Sequence, residues 1–271
     1  MKKGVIIVLS LLVVGFGGYI VYDKCLNKTE STKTEEKKDN VVSLYVDDPV
    51  VKKIYSRFDI LPFKGMGNDG DSDQFGYFFK KEKTLASDVP VSYKISVALL
   101  SMYDDEKYIK AFSDVSIDEV EIKNEDLENK IREIFGNVSF KNENLPTGVF
   151  GNPPFSYDKG CGCYVACKSC GFGGPYFIST SSYIVRAEMI NNKILNIYVK
   201  PEFVKWSESN ITISDYPAYV YSDVNMTNLV ATLNDEYEEN DKLYADKLDT
   251  YKFSFEKDGS NYYFKSVEKV K

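Results

Sequence analysis

Apolar positions along this chain change their spacing twice. They are almost continuous from Gly4 to Tyr22, nearly vanish from Asp23 to Asn40, and from Val41 onward recur with the periods of helices and then of strands. The first run is nineteen residues without a charge. At about 1.5 Å per residue it covers about 28 Å, close to the ~30 Å hydrocarbon core of a bilayer. A buried core helix would carry a polar stripe, and this run has none. It therefore predicts a transmembrane helix, with the lipid bilayer as its partner through residues 4–22. A cleaved signal peptide competes: Gly15 and Gly17 are small enough for positions −3 and −1, but there is no Ala-x-Ala and the run exceeds a usual signal core. Asp23 and Lys24 precede Cys25 where lipid attachment would need small residues, so Cys25 is expected unmodified or paired with a neighbouring chain. Lys2 and Lys3 favour an N-terminus inside. The lysines of the other flank oppose this, yet a long C-terminal domain crosses largely regardless of charge, so the domain is expected outside the cytoplasm.

Residues 23–40 (DKCLNKTESTKTEEKKDN) hold too few large apolar groups to bury and read as a disordered tether. From Val41 the pattern is globular. Asp47-Asp48-Pro49 supplies a cap and a first-turn proline for a helix over about 49–58, with Ile54, Tyr55 and Phe58 inward. Phe75 to Lys80 reads as a short strand. Ser87-Asp88 ahead of Pro90 starts a second helix, about 90–103, with Ile95, Leu99, Met102 and Tyr103 on one face. Val115 to Ile122 alternates as a half-buried strand or extended lead-in. A third helix spans 125–135, capped by Asn124 and ended by Gly136, with Leu127, Ile131, Ile134 and Phe135 as its core stripe. Strands then dominate: Tyr176 to Met189, Ile194 to Lys200, Ala218 to Tyr221, Leu229 to Leu233, Thr250 to Glu256 and Asn261 to Val270. Asn191-Asn192 marks a hairpin, and Tyr251, Phe253 and Phe255 alternate with Lys252, Ser254 and Glu256, a sheet with one buried face. The predicted class is α+β: a transmembrane helix, then a domain over 41–271, helix-rich to 136 and strand-rich from 137, with helices packed on one side of an antiparallel sheet.

The apolar run, the tether and the terminal hairpin YKFSFEKDGSNYYFKSVEKVK, about a fifth of the chain, resemble membrane-anchored extracytoplasmic proteins of low-GC Gram-positive bacteria. The resemblance implies a surface location. It implies no reaction and carries no site residue across.

Composition narrows the chemistry. The net charge of −7 becomes −9 on residues 23–271 once Lys2 and Lys3 are set aside, and without a basic stripe such a chain is a poor partner for nucleic acid. There is no histidine, which excludes Ser-His and Cys-His nucleophiles and every histidine-ligated metal. Twenty-one tyrosines against one tryptophan fit a sheet-rich body.

Two stretches could carry chemistry. In GCGCYVACKSCG, four of the five cysteines, Cys161, Cys163, Cys167 and Cys170, fall within ten residues. Two disulfides stapling a glycine-rich loop is the plainest reading, and nested Cys161–Cys170 with Cys163–Cys167 suits a hairpin best. Zinc on the four thiolates competes, with Cys167-x-x-Cys170 as one knuckle and Cys161-x-Cys163 a tight second one. A redox Cys-x-x-Cys is third, without a thioredoxin-like strand–helix junction around it. Farther upstream, Asp69, Asp71 and Asp73 occupy positions 1, 3 and 5 of a calcium loop. Gln74 replaces the glycine of position 6 and Lys80 the glutamate of position 12, so a solvated acidic loop without calcium is the expectation. Ser266-x-x-Lys269 matches a Ser–Lys nucleophile in letters only, since it lies on a strand.

Three functions follow. The first is a membrane-anchored, non-catalytic protein that displays one domain outside the cytoplasm to an unknown partner or ligand. The second is a cell-envelope hydrolase working through carboxylates. The third is a metal or thiol sensor on the Cys161–Cys170 loop.

Overall fold

A computed structural model describes residues 39–59, 63–65, 76–114, 116–142, 145, 155–167, 176–206, 218–233 and 244–270. The chain divides at Asp39 into two units, and the second, Asn40–Lys271, holds every element described here. The transmembrane helix expected over residues 4–22 lies outside the described residues, as does the tether expected over 23–40 apart from its last two residues. Asn40 is hydrogen-bonded to Asn191, so the folded body begins inside the expected tether. Among the described residues no helix is long and apolar enough to cross a membrane.

The body is α+β. Strands β1 (Val41–Leu44), β2 (Phe63–Gly65), β3 (Lys83–Leu85), β7 (Tyr176–Ile190), β8 (Ile194–Trp206), β9 (Ala218–Tyr221), β10 (Leu229–Leu233), β11 (Thr250–Asp258) and β12 (Asn261–Val270) form one nine-stranded sheet. Its spine runs β1-β7-β8-β11-β12-β3, with β2 also on β7 and the β9–β10 pair on the far half of β8. Every pairing is antiparallel. A second sheet orders β4 (Glu119–Ile122), β6 (Cys163–Cys167) and β5 (Phe155–Asp158) as β4-β6-β5. Four helices accompany them among the described residues: α1 (Pro49–Ser56), α2 (Val91–Ser101), α3 (Glu106–Ser113) and α4 (Asn124–Phe135).

Local chemistry accounts for the boundaries. Asp48 Oδ1 accepts from the amides of Val50 and Val51, so the expected cap of α1 is in place. Asn191 and Asn192 both take positive φ, 52° and 54°, in the three-residue turn between β7 and β8, where the amide of Lys193 donates to the Ile190 carbonyl at 2.9 Å. Gly136, at φ 79°, ends α4.

The alternation read from β11 decides which face is buried. Tyr251, Phe253 and Phe255 are almost wholly covered, together with Leu195, Ile197 and Val199 of β8 and Phe264 and Val267 of β12. The helices cover this face. Phe58, just past α1, lies at the centre of an aromatic cluster, with ring centroids 5.4 Å from Phe78, 5.5 Å from Phe255 and 4.9 Å from Phe264. Phe135 of α4 joins from 6.2 Å. The opposite face is polar: Arg186 stacks over Tyr198, whose hydroxyl donates to Glu188, and Ser254 donates to Asn196.

Several expectations are corrected. Phe75 to Lys80 is not a strand where it is described: Tyr77–Phe79 is a 3-10 turn entered through Gly76 at φ 58°. Helix α2 starts after Pro90 with no side-chain cap, because Asp88 instead accepts from the amide of Leu85. Its burial is not one stripe: Tyr93 to Leu100 are all buried, so α2 is the central helix of the body. Asn124 does not cap α4 either. It is the first helical residue, and its side chain is committed elsewhere.

Candidate functional site

The cysteine stretch is a strand. Because β6 is extended from Cys163 to Cys167, its two end Cα atoms stand about 13 Å apart at ~3.3 Å per residue. A disulfide needs about 4.4–6.8 Å between Cα atoms, so a Cys163–Cys167 bond does not form, and the nested pairing expected for a loop is overturned. Cys161 and Cys163 are bonded to each other instead, with Cα atoms 5.3 Å apart. The same span keeps Cys163 and Cys167 from ligating one tetrahedral zinc, where Zn–S is about 2.3 Å. Cys170 and the side chain of Cys167 lie outside the described residues, as do Asp69, Asp71 and Asp73.

The strand is held from both sides. Tyr164 and Ala166 face the core, and Glu121 pairs in register with Val165 on the opposite face. This puts an acidic residue of β4 beside the bond: Glu121 Oε1 lies 3.1 Å from Cys163 Sγ, a contact rather than a hydrogen bond because a disulfide sulfur carries no proton. The Sγ atoms of Cys161 and Cys163 and a Glu121 oxygen all lie within 4.8 Å of one another. Glu121 and Cys161 are exposed, whereas Cys163 is buried. Gly162 between the cysteines has φ +64°, which suits glycine, and Asn124 Nδ2 donates to its carbonyl. Gly160 donates its amide to Asp158 Oδ1 at 2.7 Å and turns the chain into the pair. Nothing in the cysteine spacing pointed to Glu121 or Asn124. Only the register of β4 on β6 brings them in.

A second place was not visible in the sequence. A half-open cavity of about 490 Å³ lies among the C-terminal end of α1, the end of α2 and the flank of α4. Charged groups of both signs line it, among them Lys53, Arg57, Asp59, Asp105, Lys130 and Glu133. Arg57 pairs with Glu133, and Lys130 bridges Glu133 at 2.8 Å and Asp105 at 3.2 Å. Burial alone would raise the Glu133 carboxyl, but the hydrogen bond from Lys130 and the charges of Arg57 and Lys130 outweigh it and hold it low. Asp59 goes the other way. Desolvation by the protein around it raises its carboxyl to about 6, against the hydrogen bond from Ser182, which lowers it. Its own surface remains exposed, so solvent moderates that rise. Ser182 Oγ donates to Asp59 Oδ1 at 2.6 Å, which leaves the Tyr55 hydroxyl, also 2.6 Å away, to donate to Ser182. In sequence these residues look like ordinary solvated helix faces and loop ends.

No family model, curated protein or solved structure matches this chain.

Proposed function

We propose that this chain is a single-pass membrane protein that holds its α+β body on the extracytoplasmic side, in a binding or structural role without catalysis. The observation that carries the reading is the charge-free, almost wholly apolar run Gly4 to Tyr22, followed by a charged tether and then a folded body. A Cys161–Cys163 disulfide suits an oxidising compartment. The cavity beside α1 and α4 presents cations and anions together, a lining that favours a small ligand bearing both charges over an apolar one. The acidic body argues against nucleic acid.

Protein tagged at its C-terminus is expected to stay with membranes through an alkaline wash and to be degraded when protease is added to intact cells. Recovery of the tag in the soluble fraction, or its survival in protease-treated cells, overturns the reading.

One observation favours a second reading, a cell-envelope hydrolase. Asp59 and Glu133 line one cavity with their carboxyls pushed in opposite directions, the division of labour an acid and a base require. Under that reading Asp59→Asn abolishes turnover of envelope glycan. Under the binding reading there is no turnover to lose, and the substitution changes stability and the affinity of the cavity for its ligand.

A further inference from the structure

The groups that converge beside β4 and β6 are a ligand set as well as a crosslink. We propose that Cys161, Cys163 and Glu121 form a redox-gated site for a thiophilic divalent cation of the zinc type, shut while the two cysteines are bonded and open once they are reduced.

The geometry carries this. Three ligand atoms, from β4, from the first residue of β6 and from the turn ahead of it, already lie within 4.8 Å of one another. Tetrahedral zinc at about 2.3 Å from sulfur and ~2.0–2.2 Å from a carboxylate oxygen holds its ligands about 3–4 Å apart. Parting the two sulfurs by that much needs no movement of the strands. Gly162, already at φ +64°, tolerates the turn between them. The Asn124 side chain holds the Gly162 carbonyl, an outer contact of the kind that keeps ligands aimed. Exposed Cys161 and Glu121 leave a path for the ion, and three protein ligands leave a fourth position for water. Two thiolates and one carboxylate select zinc-like cations over calcium or magnesium, which want oxygen alone.

The switch balances. A dithiol reductant gives two electrons and two protons to the Cys161–Cys163 bond, which becomes two thiols while the reductant closes to its own disulfide. The cation then binds both sulfurs as thiolates, releasing two protons to solvent. Disulfide and metal cannot coexist, because each needs the same two sulfurs. The inference does not depend on the membrane reading.

The test uses the full chain with Co²⁺ as a spectroscopic probe. Protein reduced with dithiothreitol and freed of it without air is expected to bind one Co²⁺ with a sulfur-to-cobalt charge-transfer band, which Zn²⁺ displaces. Unreduced protein is expected to show no band. Cys161→Ser and Cys163→Ser should each abolish the band, and Glu121→Gln should weaken binding roughly tenfold or more. A variant with Cys25, Cys167 and Cys170 all changed to Ser should keep the band, and circular dichroism checks that each variant is folded. The proposal is overturned if reduced protein shows no band, or if the band is lost from the triple variant. It is equally overturned if Glu121→Gln leaves affinity unchanged.

Discussion

Asp59 and its neighbours show how much one position can depend on what folds around it. The Asp59 carboxyl is raised by its surroundings from 3.8 to about 6, so the folded chain holds a proton there more tightly than the unfolded chain does. A raised acid favours the folded state at low pH, and that contribution is lost as pH climbs from about 4 to about 6. Asp59→Asn, which stays neutral and can still accept from Ser182, is therefore expected to raise the melting temperature at pH 7 and leave it nearly unchanged at pH 4. Thermal melts at the two pH values check this, and an equal shift at both would contradict it. The disulfide is a different case. Closing a loop of three residues restricts the unfolded chain little, about 1–2 kcal/mol on the chain-entropy account, against ~3 for a fifteen-residue loop. As a staple it contributes modestly, so its placement beside Glu121 is the feature that calls for an explanation.

Among the elements, Phe58 ties the helices to the sheet. It meets Phe78 and Phe135 on the helical side and Phe253, Phe255 and Phe264 on the sheet. Truncation to alanine leaves a void bounded by stiff rings and is expected to cost about 3–5 kcal/mol, measurable by urea unfolding. A cost below about 1 kcal/mol would show that the cluster collapses onto the gap. Phe58 as an inward residue was legible in the sequence, as were the long strands, because alternating side chains on β8, β11 and β12 answer directly to one buried face. Helix α3 was not. Its eight residues, EKYIKAFS, are few and charged, and it is set by Asp105, which accepts from the amide of Lys107, by burial of Tyr108 and by Ala111 and Phe112, part-buried against the core. Strands β1, β2 and β3 are not legible in the sequence because three or four residues show no period, and their pairing is fixed by β7 and β12 far along the chain. The glycine-rich composition around Cys163 suggested a loop, yet β4 and β5 clamp it as a strand from both sides. The candidate site is not legible in the spacing for the same reason: Glu121 meets the sulfur only through the cross-strand register.

At the scale of the whole body, stability is unevenly spread. Both sheets and all four helices share the large core, in which Ile95, Leu127, Tyr164 and Phe253 are fully covered. A second core is much smaller: Val204, Ala218, Val220, Tyr244 and Leu248, at the end where β9 and β10 join β8. Regions with few buried apolar contacts open first. Amides of β9 and β10 are therefore expected to exchange with solvent deuterium well before those of β11, in native-state exchange followed by mass spectrometry. Uniform protection across the nine strands would contradict this. The way the chain enters the body has a consequence of its own. Ahead of β1, Asn40 makes two hydrogen bonds with Asn191, at 2.8 and 2.9 Å, and the four residues of β1 then run along the outer side of β7. Tension arriving from the N-terminal side would load that short edge first and peel it rung by rung, while the remaining ladder and the aromatic cluster stayed intact, so the fold carries its own mechanical fuse at Asn40.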